Sequence, residues 1–290
     1  MKRTSVVERA IIKVTEAGFE NAEDSLAAEE PLEIRVSFGS SGQRIQKSIS
    51  VTMRTPGSDF DLAKGFLFTE GIIEKAEDIT SIKHCNGIHQ NVVKVEMKEN
   101  LQLDLTKLER NFYTTSSCGV CGKSSLEAVK TVCRLPVKKD VELSISPEVI
   151  YSLPTLLKHE QSVFKKTGGL HACALFDVEG NLILTREDVG RHNALDKLIG
   201  AALDENLLPL DRFVLLLSGR ASFELIQKAW MAGIRVVAAV GAPSSLAVQM
   251  AEAFGMTLIG FLRGRSLNVY SGLARIKTPS FAGGLKGYQI

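Results

Sequence analysis

Leu170-His171-Ala172-Cys173-Ala174-Leu175-Phe176-Asp177-Val178-Glu179-Gly180-Asn181-Leu182-Ile183-Leu184-Thr185 is the stretch whose reading decides the fold. Two apolar runs, Leu170 to Phe176 and Leu182 to Thr185, flank a cluster of turn-forming residues, which predicts an antiparallel hairpin. Toward the C-terminus, Asn193 is expected to cap a helix whose Leu195, Leu198, Ile199, Ala202 and Leu203 fall on one helical stripe. Phe213 to Leu217 reads as a buried strand, and Phe223, Ile226 and Trp230 mark the next helix. Val236 to Val240 is a strand, Leu246, Met250 and Phe254 mark a helix, and Thr257 to Leu262 is the last strand. Toward the N-terminus, Ser146-Pro147-Glu148 supplies a cap residue, a proline in the first turn and a carboxylate favoured by the helix dipole. The helix it opens should run to about Lys166 and end at Thr167-Gly168-Gly169. Helix, hairpin and three helix–strand units imply an α/β domain with a mixed sheet and helices on both faces.

The first third of the chain has a different rhythm. Leu32 to Phe38 and Gln43 to Met53 read as strands around the turn Gly39-Ser40-Ser41-Gly42. Asp59 to Ile73 carries Leu62, Phe66 and Ile73 on one helical face, and the short strands Ile79 to Cys85 and Val92 to Met97 follow. The expected organisation is a smaller N-terminal α+β domain over 1–113 and an α/β domain over 114–290. The tail after Ala274 has few core signals.

Composition narrows the function classes. Thirty-five basic against thirty-three acidic residues leave a net charge of +2, which implies no broad nucleic-acid or membrane footprint. Five cysteines are too few for a disulfide scaffold and odd in number, so a reducing compartment is expected. Met1 to Glu20 lacks a continuous apolar core, and no later run approaches the roughly 20 apolar residues of a membrane span. These features together predict a cytoplasmic protein.

The chemistry concentrates in Ser116-Ser117-Cys118-Gly119-Val120-Cys121-Gly122-Lys123-Ser124-Ser125-Leu126-Glu127. Glycines after both cysteines leave little bulk over the sulfurs. Ser124 and Glu127 form a capping-box pattern, placing Cys121 just before a helix N-terminus with Lys123 beside it. That environment favours thiolate over thiol and makes a nucleophile near neutral pH. A Cys-x-x-Cys is also half of a zinc knuckle, but a second half would have to come from His84, Cys85 and His89, whose spacing is irregular. No metal is expected. Cys133 and Cys173 lie on apolar faces and read as core residues, and His171, inside a strand, reads more readily as a satisfied core histidine than as a catalyst.

The order of elements after Ser146 is also that of the zinc-dependent cytidine deaminases. Those enzymes need a ligand-x-Glu at one helix start and Pro-Cys-x-x-Cys at the next. Here the corresponding positions read Arg191-His192-Asn193-Ala194 and Ser218-Gly219-Arg220-Ala221-Ser222. With the general acid and both thiolate ligands missing, a deaminase-like sheet would lack deaminase chemistry. Arg191, His192, Ser218, Gly219, Arg220 and Ser222 instead suit an anion such as phosphate. Gly241-Ala242-Pro243-Ser244-Ser245 and Phe261-Leu262-Arg263-Gly264-Arg265-Ser266 leave further strand ends, where ligands of α/β sheets collect. A nucleotide diphosphate could lie across them.

Several long motifs now stand in fixed order: Ser117-Cys118-Gly119-Val120-Cys121-Gly122, Thr167-Gly168-Gly169-Leu170-His171, Glu187-Asp188-Val189-Gly190-Arg191-His192-Asn193-Ala194, Ser218-Gly219-Arg220, Ala242-Pro243-Ser244-Ser245 and Gly260-Phe261-Leu262-Arg263-Gly264. Together they resemble the formate dehydrogenase accessory sulfurtransferase family, FdhD, over about Glu29 to Gly272. The resemblance implies a sulfur carrier that takes persulfide sulfur from a cysteine desulfurase. It passes that sulfur to the molybdenum cofactor, a bis(molybdopterin guanine dinucleotide), so that formate dehydrogenase becomes active. It also implies that GDP mimics the bound acceptor, that a homodimer forms, that Cys118 carries the persulfide with Cys121 as its partner, and that Phe261 to Ser266 bind the cofactor. Two other classes stay open on the residues: a thioredoxin-like thiol oxidoreductase cycling a Cys118–Cys121 disulfide, and a non-catalytic chaperone of cofactor and apo-enzyme.

Overall fold

The elements, in a computed structural model that describes residues 4–85, 91–99, 101 and 143–277, run β1 (Val6–Thr15), β2 (Gly18–Ala27), β3 (Glu30–Phe38), β4 (Ile45–Arg54), α1 (Asp59–Thr69), β5 (Ile79–His84) and β6 (Val92–Met97). Then come α2 (Pro147–Glu160), α3 (Phe164–Thr167), β7 (His171–Phe176), β8 (Leu182–Asp188), α4 (Arg191–Asp204), β9 (Val214–Leu217), α5 (Phe223–Met231), β10 (Val236–Ala239), α6 (Ser245–Ala253), β11 (Thr257–Arg263) and β12 (Ser266–Ser271). The domain boundary expected near 113 falls outside the described residues.

Strand alternation produces two cores. In the six-stranded sheet β12-β11-β10-β9-β7-β8, the central strands β9, β10 and β11 are parallel and the others antiparallel to their neighbours. Successive side chains point to opposite faces. Cys173, Leu175, Leu215, Leu217, Val237 and Leu258 therefore face α4, α5 and α6, while Ala174, Phe176, Val214, Leu216, Val236 and Ile259 face α2. A mixed sheet with helices on both faces is what the order of elements predicted. The second sheet, β4-β3-β6-β5, has β3 and β6 parallel, and its Leu32, Ile34, Val93 and Val95 join the same buried cluster as Leu195 and Leu198 of α4.

Backbone contact joins the two halves. A Cβ added to Gly65 of α1 would fall on the carbonyl oxygen of Asp196, and one added to Gly200 of α4 on that of Asp61. Only two glycines let the helices cross this closely. Charge pairs fix the crossing: Lys228 of α5 bonds Asp196 at 3.0 Å and Thr69 at 2.8 Å, all three buried, and Arg186 bonds Asp61 at 2.9 Å. Burial pushes the Asp196 carboxyl up against the pull of Lys228, and Lys228 is raised in return, because desolvation is outweighed by its carboxylate partners.

Three expectations are corrected, and one ribbon is added. The helix from Ser146 stops at Glu160 instead of Lys166, because the Glu187 carboxylate takes the N–H groups of Val163 and Phe164 at 3.1 and 2.8 Å and starts α3 afresh. Asn193 lies inside α4, whose N-cap is Gly190. Its amide is engaged elsewhere, donating to Met53 O at 2.7 Å and Asp188 Oδ1 at 3.2 Å. The sheet does not end at Leu262, since the chain turns back into β12, whose polar Ser266, Asn268 and Ser271 hide it from an apolar-run reading. The ribbon β1–β2 was not expected, because most of its side chains are exposed, none is buried, and no alternation is left to read.

The crossing makes a stability prediction. Gly65→Ala should lower the unfolding free energy by about 2–4 kcal/mol in urea titrations, because backbone must move to admit the methyl. Gly169→Ala, whose added Cβ meets nothing nearer than 3.6 Å, should change it by less than about 1 kcal/mol.

Candidate anion site at the strand ends

The parallel strands β9, β10 and β11 all finish at one end of the sheet, and the antiparallel β7 begins there, opposite the end of β8 in the pair His171↔Asp188. The loops that leave this end are hydrogen-bonded edge to edge. Ser218 N donates to Ala172 O at 3.0 Å, Gly241 N to Gly219 O at 3.0 Å, Phe261 N to Gly241 O at 3.1 Å, and Ser244 N to Ala221 O at 3.0 Å. Arg191, His192, Ser218, Gly219, Arg220, Ser222, Pro243, Ser244 and the turn Phe261–Ser266 are thus gathered from four segments onto one rim. Cys118 and Cys121 lie outside the described residues.

This rim holds donors ready for an anion. The N-termini of α4, α5 and α6 open onto it, and neither Gly190 nor Ser222 caps its helix with a side chain. Free N–H groups and the positive helix end favour a negative ligand. Ser218 Oγ accepts from Ala172 N at 2.8 Å and Ser244 Oγ from Ala247 N at 3.2 Å, so each hydroxyl is oriented by accepting and keeps its own proton to donate. Arg220 and Arg263 are exposed, and Arg220 has no hydrogen bond or ion pair among the described residues. The Nε of Arg191 is buried without a hydrogen-bond partner among them. Arg265 is held differently, its guanidinium 5.6 Å over the Tyr151 ring on α2. Phe261 is exposed with φ of 51°, a left-handed conformation that a non-glycine residue holds only under constraint.

Beside the rim, on the α2 face, lies an open cleft of about 620 Å³ lined by Pro154, Leu157, Gln161, Phe164, His171 and Ser218. His171 is a member of this site that the strand-interior reading set aside. Its ring packs on Gly219, where an added Cβ would stand 3.1 Å from Nδ1. Burial first, and then the charges of Arg191, His192 and Arg220, hold the imidazole below its ordinary range against Asp188. The sequence signal that could have found it is its place as the first residue of β7, at the open end of the sheet. His192 is bound otherwise, Nε2 lying 3.3 Å from Ser222 Oγ and 3.5 Å from Glu224.

Other candidates fall away from the rim. Cys173 is buried and its thiol is pushed up, chiefly by desolvation, which makes it a poor nucleophile. His84 packs on the Phe60 ring. Among the described residues no group of three or more His, Cys, Asp or Glu could hold a metal ion, and no helix is long and apolar enough to cross a membrane.

Glu224 gives the site a pH signature. Burial would raise its carboxyl, but hydrogen bonds from His192, Ser222 and its own backbone N–H hold it below the ordinary carboxylate value of 4.5. A depressed acid adds stability above its unfolded pKa and loses it as pH falls through the folded value. Glu224→Gln should therefore be less stable than wild type at pH 7, with the gap closing below pH 4.5 in thermal melts.

The sequence profile of the FdhD/NarQ family matches residues 27–277. A sulfur carrier protein FdhD from Streptomyces coelicolor is 50% identical over 281 residues, covering 95% of this chain and 97% of its own. Its namesake from Streptomyces avermitilis is 52% identical over 274 residues, with 92% and 94% covered. One from Saccharolobus solfataricus is 40% identical over 266 residues, with 92% and 96% covered. A crystal structure assigned as a formate dehydrogenase accessory protein, from Desulfotalea psychrophila, superimposes with a TM-score of 0.72 over 94% of this chain and 100% of its own. At 23% identity it shows a likeness of fold. Half the residues shared across almost the full length, with the described motifs gathered at one end of a matching fold, establish that the chain belongs to the FdhD/NarQ family.

Proposed function

We propose that this protein is a sulfur carrier that serves formate dehydrogenase, a sulfurtransferase whose persulfide is held on Cys118 and whose acceptor is the molybdenum cofactor bearing guanine dinucleotides. The observation that carries the reading is the rim itself. Three helix N-termini, two oriented hydroxyls and the guanidinium groups of Arg191, Arg220 and Arg263 surround one sheet end, a donor set suited to the pyrophosphates of a dinucleotide. Phe261 to Ser266, with Pro243 and Ser244, form the part of the rim that would hold the nucleotide, with GDP as its mimic. The cofactor is cargo here, a substrate that comes and goes.

The sulfur step follows from thiol chemistry. Cys118 gives up its proton and attacks the outer sulfur of a cysteine persulfide on a desulfurase. The donor's S–S bond breaks, its cysteine leaves as a thiolate that recovers a proton, and Cys118 keeps the sulfur as a persulfide with no net oxidation. Cys121 acts next, either relaying that sulfur or attacking the inner sulfur of the Cys118 persulfide. The second route releases hydrosulfide and leaves a Cys118–Cys121 disulfide that a thiol reductant must reopen. A dimer and a cytoplasmic setting, in contact with both the desulfurase and the dehydrogenase, complete the reading.

Incubation with a cysteine desulfurase and cysteine, followed by intact-mass spectrometry, should add one sulfur to the wild-type chain and none to Cys118→Ala. Loss of two hydrogens without added sulfur would instead mark an oxidoreductase, and an unchanged mass a cofactor chaperone. In activation assays of formate dehydrogenase Cys118→Ala should be inactive, and full activity in Cys121→Ala would remove the helper role. Arg220→Ala should weaken GDP binding about tenfold by calorimetry, the loss of one charge-assisted hydrogen bond.

A further inference from the structure

The rim gathers cations at a place where, among the described residues, their counter-charges are few. Its acids are already committed: Asp188 bonds Lys197 at 2.7 Å and Thr55 N at 3.1 Å, Glu224 faces His192, and Glu187 is held by the amides of Val163 and Phe164. One titratable group sits between these committed acids and the open cleft. His171 lines the cleft, with its ring against Gly219, Asp188 paired across the sheet, Arg191 and His192 on the first turn of α4, Arg220 on the loop after β9, and Lys158 of α2 across the cleft.

Resting on the strand-end reading above, we propose that His171 couples proton uptake to anion binding, so that the site grips a diphosphate more tightly as the pH falls through neutrality. The physical basis is reciprocal. Arg191, His192 and Arg220 disfavour a charge on the imidazole, and a bound diphosphate would cancel their field and add its own attraction. Whatever raises proton affinity when the anion is bound must raise anion affinity when the proton is bound. His171 is half-buried and at the cleft surface, so the proton can reach it from solvent. His192 is engaged by Ser222 at 3.3 Å and Glu224 at 3.5 Å and is not part of the cleft lining. The consequence for the carrier is a hold on its cargo that loosens in a more alkaline setting without any movement of the backbone.

The test uses the full chain and GDP-mannose, whose diphosphate is esterified at both ends and does not itself titrate between pH 6.0 and 7.5. Wild-type affinity should be at least about threefold tighter at pH 6.0 than at pH 7.5, and below the tenfold per pH unit that one coupled proton permits. Calorimetry at pH 6.8 in two buffers of different ionisation enthalpy should show uptake of a fraction of one proton. In His171→Asn the affinity ratio should fall to near one and the uptake should vanish. A pH-independent wild-type affinity, or a slope that persists in His171→Asn, overturns the inference while leaving the anion site standing. Absence of GDP-mannose binding at every pH overturns the site and this inference together, and persulfide loading of Cys118 remains a separate result. As a measurement that needs no variant, the His171 Cε1 resonance should titrate below 6.5 in the free protein and at higher pH when GDP-mannose is bound; an unchanged midpoint overturns the coupling.

Discussion

The close crossing of α1 and α4 at Gly65 and Gly200 is the constraint on which the rest depends. Helix backbones normally stand 8–10 Å apart, separated by side chains. Here each glycine admits the partner's carbonyl oxygen, and that fixes where the four-stranded sheet sits relative to the six-stranded one. From this contact the positions of Thr55, Met53 and Asn193 follow. The end of β4 is brought against the start of α4, where Thr55 N meets Asp188 at 3.1 Å, Lys197 meets Thr55 O at 2.8 Å and Asn193 meets Met53 O at 2.7 Å. The N-terminus of α4, the one that presents Arg191 and His192, is thus held by the first third of the chain.

Charges within that contact are buried to an unusual degree. Arg54 bonds Asp59 through two nitrogens at 3.0 and 2.9 Å with no exposure, and Lys197 and Lys228 are paired almost as deeply. Buried ion pairs are weak contributors to net stability, because desolvation offsets most of the attraction. Their effect is to penalise every misplacement, since shifting α1 by one turn against α4 would leave several charges unpaired in the core. A rim assembled from four separate segments needs such positional definition. Sites are more reliably built on locked elements than on loops alone.

Function then reads as a division of labour. In the proposed function the cations and helix dipoles of the sheet end would hold a charged cargo by electrostatics, and the Cys-x-x-Cys segment would supply the covalent chemistry. The N-termini of α4 and α5 open onto this end with Arg191, His192 and Arg220 in the sequence around them.

Periodicity along the sequence determined the elements from Ser146 onward, because alternation and the helical stripe are local properties that each segment expresses on its own. The strand-end motifs stand out for the same local reason: glycine, serine and arginine cluster at strand exits, where the backbone turns. Tertiary structure decided what no local pattern could carry. Asn193 looked like a cap and became a cross-link, Ser146's helix was divided by a carboxylate 27 residues beyond its end, at Glu187, and β12 pairs through its backbone with polar Ser266, Asn268 and Ser271 set among Leu267 and Val269, which pack on the core. Asp196 and Lys197 stood as charges in an apolar stripe, and only the arrival of Lys228 and Asp188 satisfied them. His171 was one more strand residue until the fold placed Gly219 under its ring and Arg191, His192 and Arg220 around it. Long-range pairing sets which charges meet, and charge in a low-dielectric setting depends on the neighbour as much as on the residue.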